Sequence, residues 1–125
     1  MSTNTAYSPN AYRANAVLTA SHGQQIVMLY DGARRFLYQS AAAMAGHETV
    51  TAHNKLARAE AILRHLRDTL NPDQGELADR LSSIYTFSLN HLRLGRIEQD
   101  PQRLDDVNDL LGKLRDSWAA VAGDD

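Results

Sequence analysis

Five histidines and four glutamates are the residues of this chain best suited to chemistry, and their spacing decides what they could do. A di-metal centre in a helical bundle needs glutamates followed three residues later by histidine on facing helices. Glu48, Glu60, Glu76 and Glu98 have no histidine at that offset. His22, His47, His53, His65 and His91 form neither an HExxH motif nor an i, i+4 pair, so no zinc-type pattern exists. The run His91-Leu92-Arg93-Leu94-Gly95 loosely matches a phosphotransfer histidine, with glycine at the right offset but leucine where lysine is usual. It is read either as a phosphoryl acceptor or as a histidine flanking a helix seam. Ser82 and Ser83 fall mid-helix without a nucleophile elbow, and Gly23 and Gly32 are isolated rather than part of a phosphate loop. The residues therefore predict no catalysis, metal or cofactor.

Composition narrows the class further. With 125 residues the chain is one domain, long enough for a real core. It has no cysteine, hence no disulfide or thiolate chemistry. Thirteen basic and fifteen acidic residues give a net charge of −2, which offers no general attraction to nucleic acid. No secretory signal or membrane-length apolar run is present, so a cytoplasmic, soluble protein without membrane insertion is expected.

Four helices must position whatever these residues do. Residues 1–20 read as a flexible leader or cap, polar yet carrying Tyr7, Tyr12, Val17 and Leu18. Residues 21–122 read as a four-helix bundle. The first helix spans about Ser21 to Ala45, with Ser21 as N-cap and Gln24 completing a capping box. Its apolar face is Ile26, Leu29, Tyr30, Ala33, Phe36, Leu37 and Met44. Gly46 is a plausible stop. The second covers about Val50 to Leu70 on the stripe Leu56, Ala59, Leu63, Leu66, Leu70, before Asn71-Pro72 breaks it. The third covers about Glu76 to Ile97. The fourth starts with Asp100 as N-cap and Pro101 at the first helical position. Its stripe is Leu104, Val107, Leu111, Leu114, Trp118, Val121, which assigns Trp118 to the core. Helices of this size are each ~30–37 Å long. Short connections make neighbours antiparallel, so the fold class is all-α: an elongated antiparallel up-down-up-down bundle.

The third helix breaks the single-stripe rule. Leu77, Leu81, Ile84, Ser88 and Leu92 form one line, while Phe87 and Leu94 lie on another. It is read as a central helix packed on several sides, or as one wall of a groove for a partner helix. The charges at Asp31, Arg34, Arg35, Glu60, Arg64, Arg67 and Asp68 read as a solvated face. Arg58, Arg64 and Arg67 could also meet an acidic partner.

Several motifs, in order, resemble the flagellin export chaperones, the FliS family. These are Ala11-Tyr12 with Val17 and Thr19-Ala20-Ser21, the pentad Met28-Leu29-Tyr30-Asp31-Gly32, Ile84-Tyr85, and Leu114-Arg115-Asp116-Ser117-Trp118. The resemblance runs over about residues 11–121. His22-Gly23 and Gln25 depart from the family pattern, so the first turn of helix 1 is the expected place for disorder or a shifted start.

The resemblance implies a binding protein rather than an enzyme. Its partner would be the disordered C-terminal region of flagellin, kept from polymerising before delivery to the flagellar export gate. Nucleic acid is not an implied partner, and a homodimer stays open. The leader would cover the client surface or contact the client. Expected client-binding residues are Tyr12 and Val17 in the leader, with Ile62, Leu66, Ile84, Tyr85 and Phe87 near a helix 2–helix 3 groove. Two other readings remain beside this one: phosphotransfer through His91, and a self-associating structural bundle.

Overall fold

The computed structural model describes residues 21–122, which hold four α-helices and a short 3-10 turn. They are α1 (His22–Ala45), α2 (Thr49–Asp68), the turn Pro72–Gln74, α3 (Glu76–Glu98) and α4 (Pro101–Ala122). Tyr12, Val17 and the rest of the leader lie outside the described residues.

The expected caps form. Ser21 Oγ accepts from Gln24 N–H, and Gln24 Oε1 accepts from Ser21 N–H, at 3.2 and 3.0 Å. Both orphan donors are satisfied together, so α1 starts at its N-cap despite His22-Gly23. The start expected at Ser21 is the one observed. Gly46 ends α1 as expected, but the left-handed residue is His47, one place later. Asn71 Oδ1 accepts from Asp73 N–H, turning the chain at Pro72. Gly75 precedes α3 with φ 55° and ψ −116°, a combination open to glycine and closed to residues with a Cβ. Asp100 Oδ1 accepts from Gln102 N–H and caps α4.

The helices pack in sequence order around one core, with α1 neighbouring α2 and α4, and α3 across from α1. The closely flanked helix is α1, not α3. Its buried Gly32, Ala33, Ser40, Ala41 and Ala43 let both neighbours approach. By contrast, α3 leaves Leu77, Phe87 and Ile97 exposed. The reading of the third helix as central and packed on several sides is therefore corrected.

Polar ties fix each seam. Ser40 Oγ donates to Ala52 O between α1 and α2 at 2.7 Å. Arg34 Nε donates to Asn108 Oδ1 between α1 and α4 at 2.7 Å, and Asn108 Nδ2 returns a bond to Arg34 O. Arg96 of α3 pairs with the buried Glu60 of α2. Between α3 and α4 the contact is closest at Gly95, where a Cβ would lie 2.8 Å from Leu104 Cδ1.

Candidate functional site: an apolar cleft at one end of the bundle

The start of α1, the end of α2, the start of α3 and the end of α4 meet at one end of the molecule. There the seams do not close. A cavity of about 330 Å³ is walled by Ile26 and Leu29 of α1 and by Leu66 and Leu70 of α2, with Tyr85 of α3 and Trp118 of α4. His22, Gln25, His65 and Asn71 give its lining a polar share. A second cavity of about 210 Å³ opens beside it between α3 and α4, lined by Leu77, Leu81, Leu114, Trp118 and Val121. Leu81 and Trp118 line both, so the two adjoin as neighbouring parts of one apolar region, the cleft. Leu77 and Val121 are 50% and 63% exposed at its lip.

Aromatic hydroxyls meet in the core beside this cleft. Tyr30 of α1 and Tyr85 of α3 are fully buried and share a hydrogen bond of 2.5 Å across the bundle. Burial raises the pKa of both phenols. For Tyr85 the bond and the adjacent Tyr30 raise it further, whereas for Tyr30 bonding by Tyr85 and Trp118 partly opposes the rise. Both hydroxyls stay protonated and paired. One residue on, Asp31 accepts from Arg115 Nε at 2.9 Å and from Nη2 at 3.5 Å. This two-pronged bond favours the charged guanidinium and raises the Arg115 pKa. Buried Gly32 faces α2, where a Cβ would stand 3.4 Å from Ile62 Cδ1.

The three motifs within the described residues thus converge. Tyr30 of the pentad bonds Tyr85 of the Ile-Tyr pair, and Asp31 bonds Arg115, with Trp118 of the same α4 motif closing the cleft. Leader residues Tyr12 and Val17 lie outside the described region.

The candidate residues of α2 and α3 do not share one groove. Leu66 and Tyr85 line the larger cavity, although both are buried in the core. Ile62 turns instead into the α1–α2 seam against Gly32. Phe87 stacks on His91 with centroids 5.4 Å apart, and His91 faces α4. Ile84 lies seven residues from both Leu77 and His91, two turns each way, on the same α4-facing side. α3 turns Phe87, with His91, towards α4, while Ile62 faces α1, so these candidates do not line one helix 2–helix 3 groove. Trp118 packs against the core as expected, but only partly, and it doubles as cleft wall. Sequence reading did not single out Leu77, Leu81 and Val121, which line the smaller cavity. Their signal was present: Leu77 and Val121 end apolar stripes at the same end of the bundle, and Leu81 lies one turn in from Leu77.

Hydrolytic or phosphoryl chemistry finds no footing here. His91 Nε2 meets Asp106 Oδ2 at 3.1 Å, and its Nδ1 meets Arg103 Nη1 at 3.3 Å. A guanidinium can only donate, so Nδ1 accepts and Nε2–H donates. Both ring nitrogens are engaged, and a carboxylate occupies the side from which a phosphoryl group would come. Bonds from Gln102 and then His91 hold Asp106 below the usual carboxylate range. Gly95 serves the close approach of α4 rather than room for phosphate. Among the described residues, no group of histidine and carboxylates could hold a metal ion. No helix among them is long and apolar enough to cross a membrane. What this end offers is apolar shape with a few polar edges, which suits binding.

Known proteins place the fold and the motifs together. The chain matches the family described as Flagellar protein FliS across residues 3–125. The flagellar secretion chaperone FliS of Campylobacter jejuni is 31% identical over 122 residues, covering 97% of this chain and 94% of that protein. The chaperone of the same name from Bacillus subtilis is 30% identical over 86% of this chain and 80% of its own length. That from Vibrio cholerae is 33% identical over 83% and 78%. A crystal structure of a bacterial flagellar chaperone shares the fold with a TM-score of 0.78 at 16% identity, covering 93% of this chain and 98% of the other. The four-helix bundle, its convergent motifs and these matches agree: the chain belongs to the FliS family, an export chaperone of flagellar assembly and not an enzyme.

Proposed function

We propose that this chaperone binds the disordered C-terminal region of flagellin in the cytoplasm, holds it back from polymerising, and presents it to the flagellar export gate. The observation that carries this reading is the apolar cleft whose two parts share Leu81 and Trp118, with Leu77 and Val121 exposed at its lip. An amphipathic client segment would fold as it docks, placing apolar anchors at helical spacing into the cleft. A disordered client can cover a large surface in this way, and the ordering it undergoes lowers affinity per unit area. That suits cargo that must later be released.

Size-exclusion chromatography with full-length and C-terminally truncated flagellin tests the proposal. Co-elution with the full-length protein alone is expected. Equal binding to both, or binding to neither, would sink it. The Leu77→Asp/Val121→Asp variant locates the site, since both side chains are largely exposed and dispensable for the core. It should keep wild-type stability and lose flagellin. Undiminished binding would move the client elsewhere on the bundle.

A further inference from the structure

Away from the cleft, the α1–α2 seam gathers positive charge that the fold does not use. The Phe36 ring is half-buried against the core, and three cationic groups surround it. The Arg35 and Arg58 guanidinium carbons and Lys55 Nζ each lie 5.8 Å from its centroid. No two of these charges can be further apart than twice that distance, about one and a half Debye lengths at physiological salt. The ring's negative face offsets only part of their mutual repulsion. Among the described residues none of the three enters an ion pair, whereas Arg80, Arg96, Arg103 and Arg115 all do. Scarcity of carboxylates does not explain this, because acidic residues outnumber basic ones by 15 to 13.

We propose that this surface docks an acidic segment of a partner protein that also carries apolar side chains. Its carboxylates would sit on Arg35, Lys55 and Arg58, and an apolar residue would rest against the exposed part of the Phe36 ring. The two guanidinium forks match carboxylate geometry, and Lys55 adds a point charge. Nucleic acid fits less well: three cations around one ring make no phosphate track, and the net charge is −2. Along α1, Phe36 stands about 10 Å from Leu29, the nearest cleft residue of that helix, at 1.5 Å per residue. The two surfaces can thus be occupied together, and this one does not depend on what the cleft binds.

Fluorescence anisotropy with the full chain tests the proposal, using a labelled peptide of alternating Glu and Leu against one of alternating Gln and Leu. Tighter binding of the acidic peptide is expected, weakening as salt rises. The Arg35→Gln/Lys55→Gln/Arg58→Gln variant should lose about tenfold in affinity or more. Circular dichroism should show it fully helical, since no ion pair is removed. Arg35→Lys/Arg58→Lys should keep most of the binding. The proposal is overturned by unchanged affinity in the triple variant, or by equal affinity for the neutral peptide. It is overturned too if a single-stranded oligonucleotide of matched charge binds more tightly. Loss of the acidic peptide in Leu77→Asp would place the peptide in the cleft and overturn it as well.

Discussion

The Tyr30–Tyr85 pair makes a sharp test of how the core beside the cleft is built. Both rings are fully buried, and each hydroxyl partners the other at 2.5 Å. Removing one oxygen strands the other in the core, which costs about 1–3 kcal/mol, whereas removing both leaves two apolar ring edges and costs far less. The two single variants should differ. Tyr85→Phe leaves the Tyr30 hydroxyl with Trp118 as a second partner, so about 1 kcal/mol is expected. Tyr30→Phe leaves Tyr85 without its hydrogen-bond partner, and about 2 kcal/mol is expected. The double variant should cost no more than about 1 kcal/mol, giving a coupling near −2 kcal/mol in a double-mutant cycle. Urea titration at constant slope reads these differences as midpoint shifts of roughly 1–2 M for the larger. A double variant that costs the sum of the singles would refute this account of the pair.

The same pair sets an alkaline limit. Both phenols titrate above the ordinary value of 10.0 in the folded state. Above that value the unfolded chain releases protons that the folded chain retains, so stability falls with rising pH. The contribution is present in full below pH 10 and is lost progressively above it. Below pH 9 these groups add no slope. In the Tyr30→Phe/Tyr85→Phe variant the alkaline loss should be blunted.

Three further outcomes follow from other contacts. Arg96→Met leaves Glu60 buried without its cation, and should cost roughly 2–4 kcal/mol in chemical denaturation, moderated by the 30% exposure of Arg96. Adding Glu60→Leu should recover most of that loss, and no recovery would mean that the cost lies elsewhere. Gly95→Ala drives a methyl to 2.8 Å from Leu104 Cδ1 and 3.3 Å from Asp100 O, and should destabilise by about 1–3 kcal/mol. Gly112→Ala meets only the Arg34 guanidinium, a flexible group 2.9 Å away, and gains about 1 kcal/mol of helix propensity. Its net thermal shift should be near zero, and a loss as large as that of Gly95→Ala would show that Arg34 cannot move.

Much of this fold is legible in the sequence because caps and stripes act locally. Ser21 with Gln24, Asn71-Pro72 and Asp100-Pro101 set helix ends through bonds between near neighbours, and all three act where they are read. The stripes of α2 and α4 read true over most of their length, since Leu56, Leu63, Leu104 and Leu111 are wholly buried, but Val121 at the end of the α4 stripe is exposed. The rank order of helix burial is not legible in this way. Apolar periodicity weighs large side chains, and α3 has them around much of its circumference. How closely two helices approach is set instead by small residues. Gly32, Ala33, Ser40, Ala41 and Ala43 draw α2 and α4 onto α1, and they barely register as an apolar face. The neighbours of the α3 residues are not legible for the same reason: periodicity says which positions are apolar, not which helix each one meets.

The α3–α4 seam explains why a cavity opens at one end of the bundle. Near the α3–α4 connection, Gly95 lets Leu104 and Arg103 close on the α3 backbone, and His91 is held by Asp106 and Arg103. Towards the other end the facing residues are Leu77 and Leu81 against Leu114, Trp118 and Val121, and a cavity of about 210 Å³ stands between them. The two helices are thus pinned together at the glycine end and held apart at the tryptophan end. Meanwhile the Tyr30–Tyr85 bond and the Asp31–Arg115 pair keep α1, α3 and α4 in place behind the opening. A cleft held open in this way forfeits packing that a closed bundle would have, and natural proteins keep such losses where function needs them. The family-like motifs lie around this opening rather than along the well-packed middle. Their polar members build its supports and Trp118 forms its wall, which makes the opening itself the feature that those residues maintain.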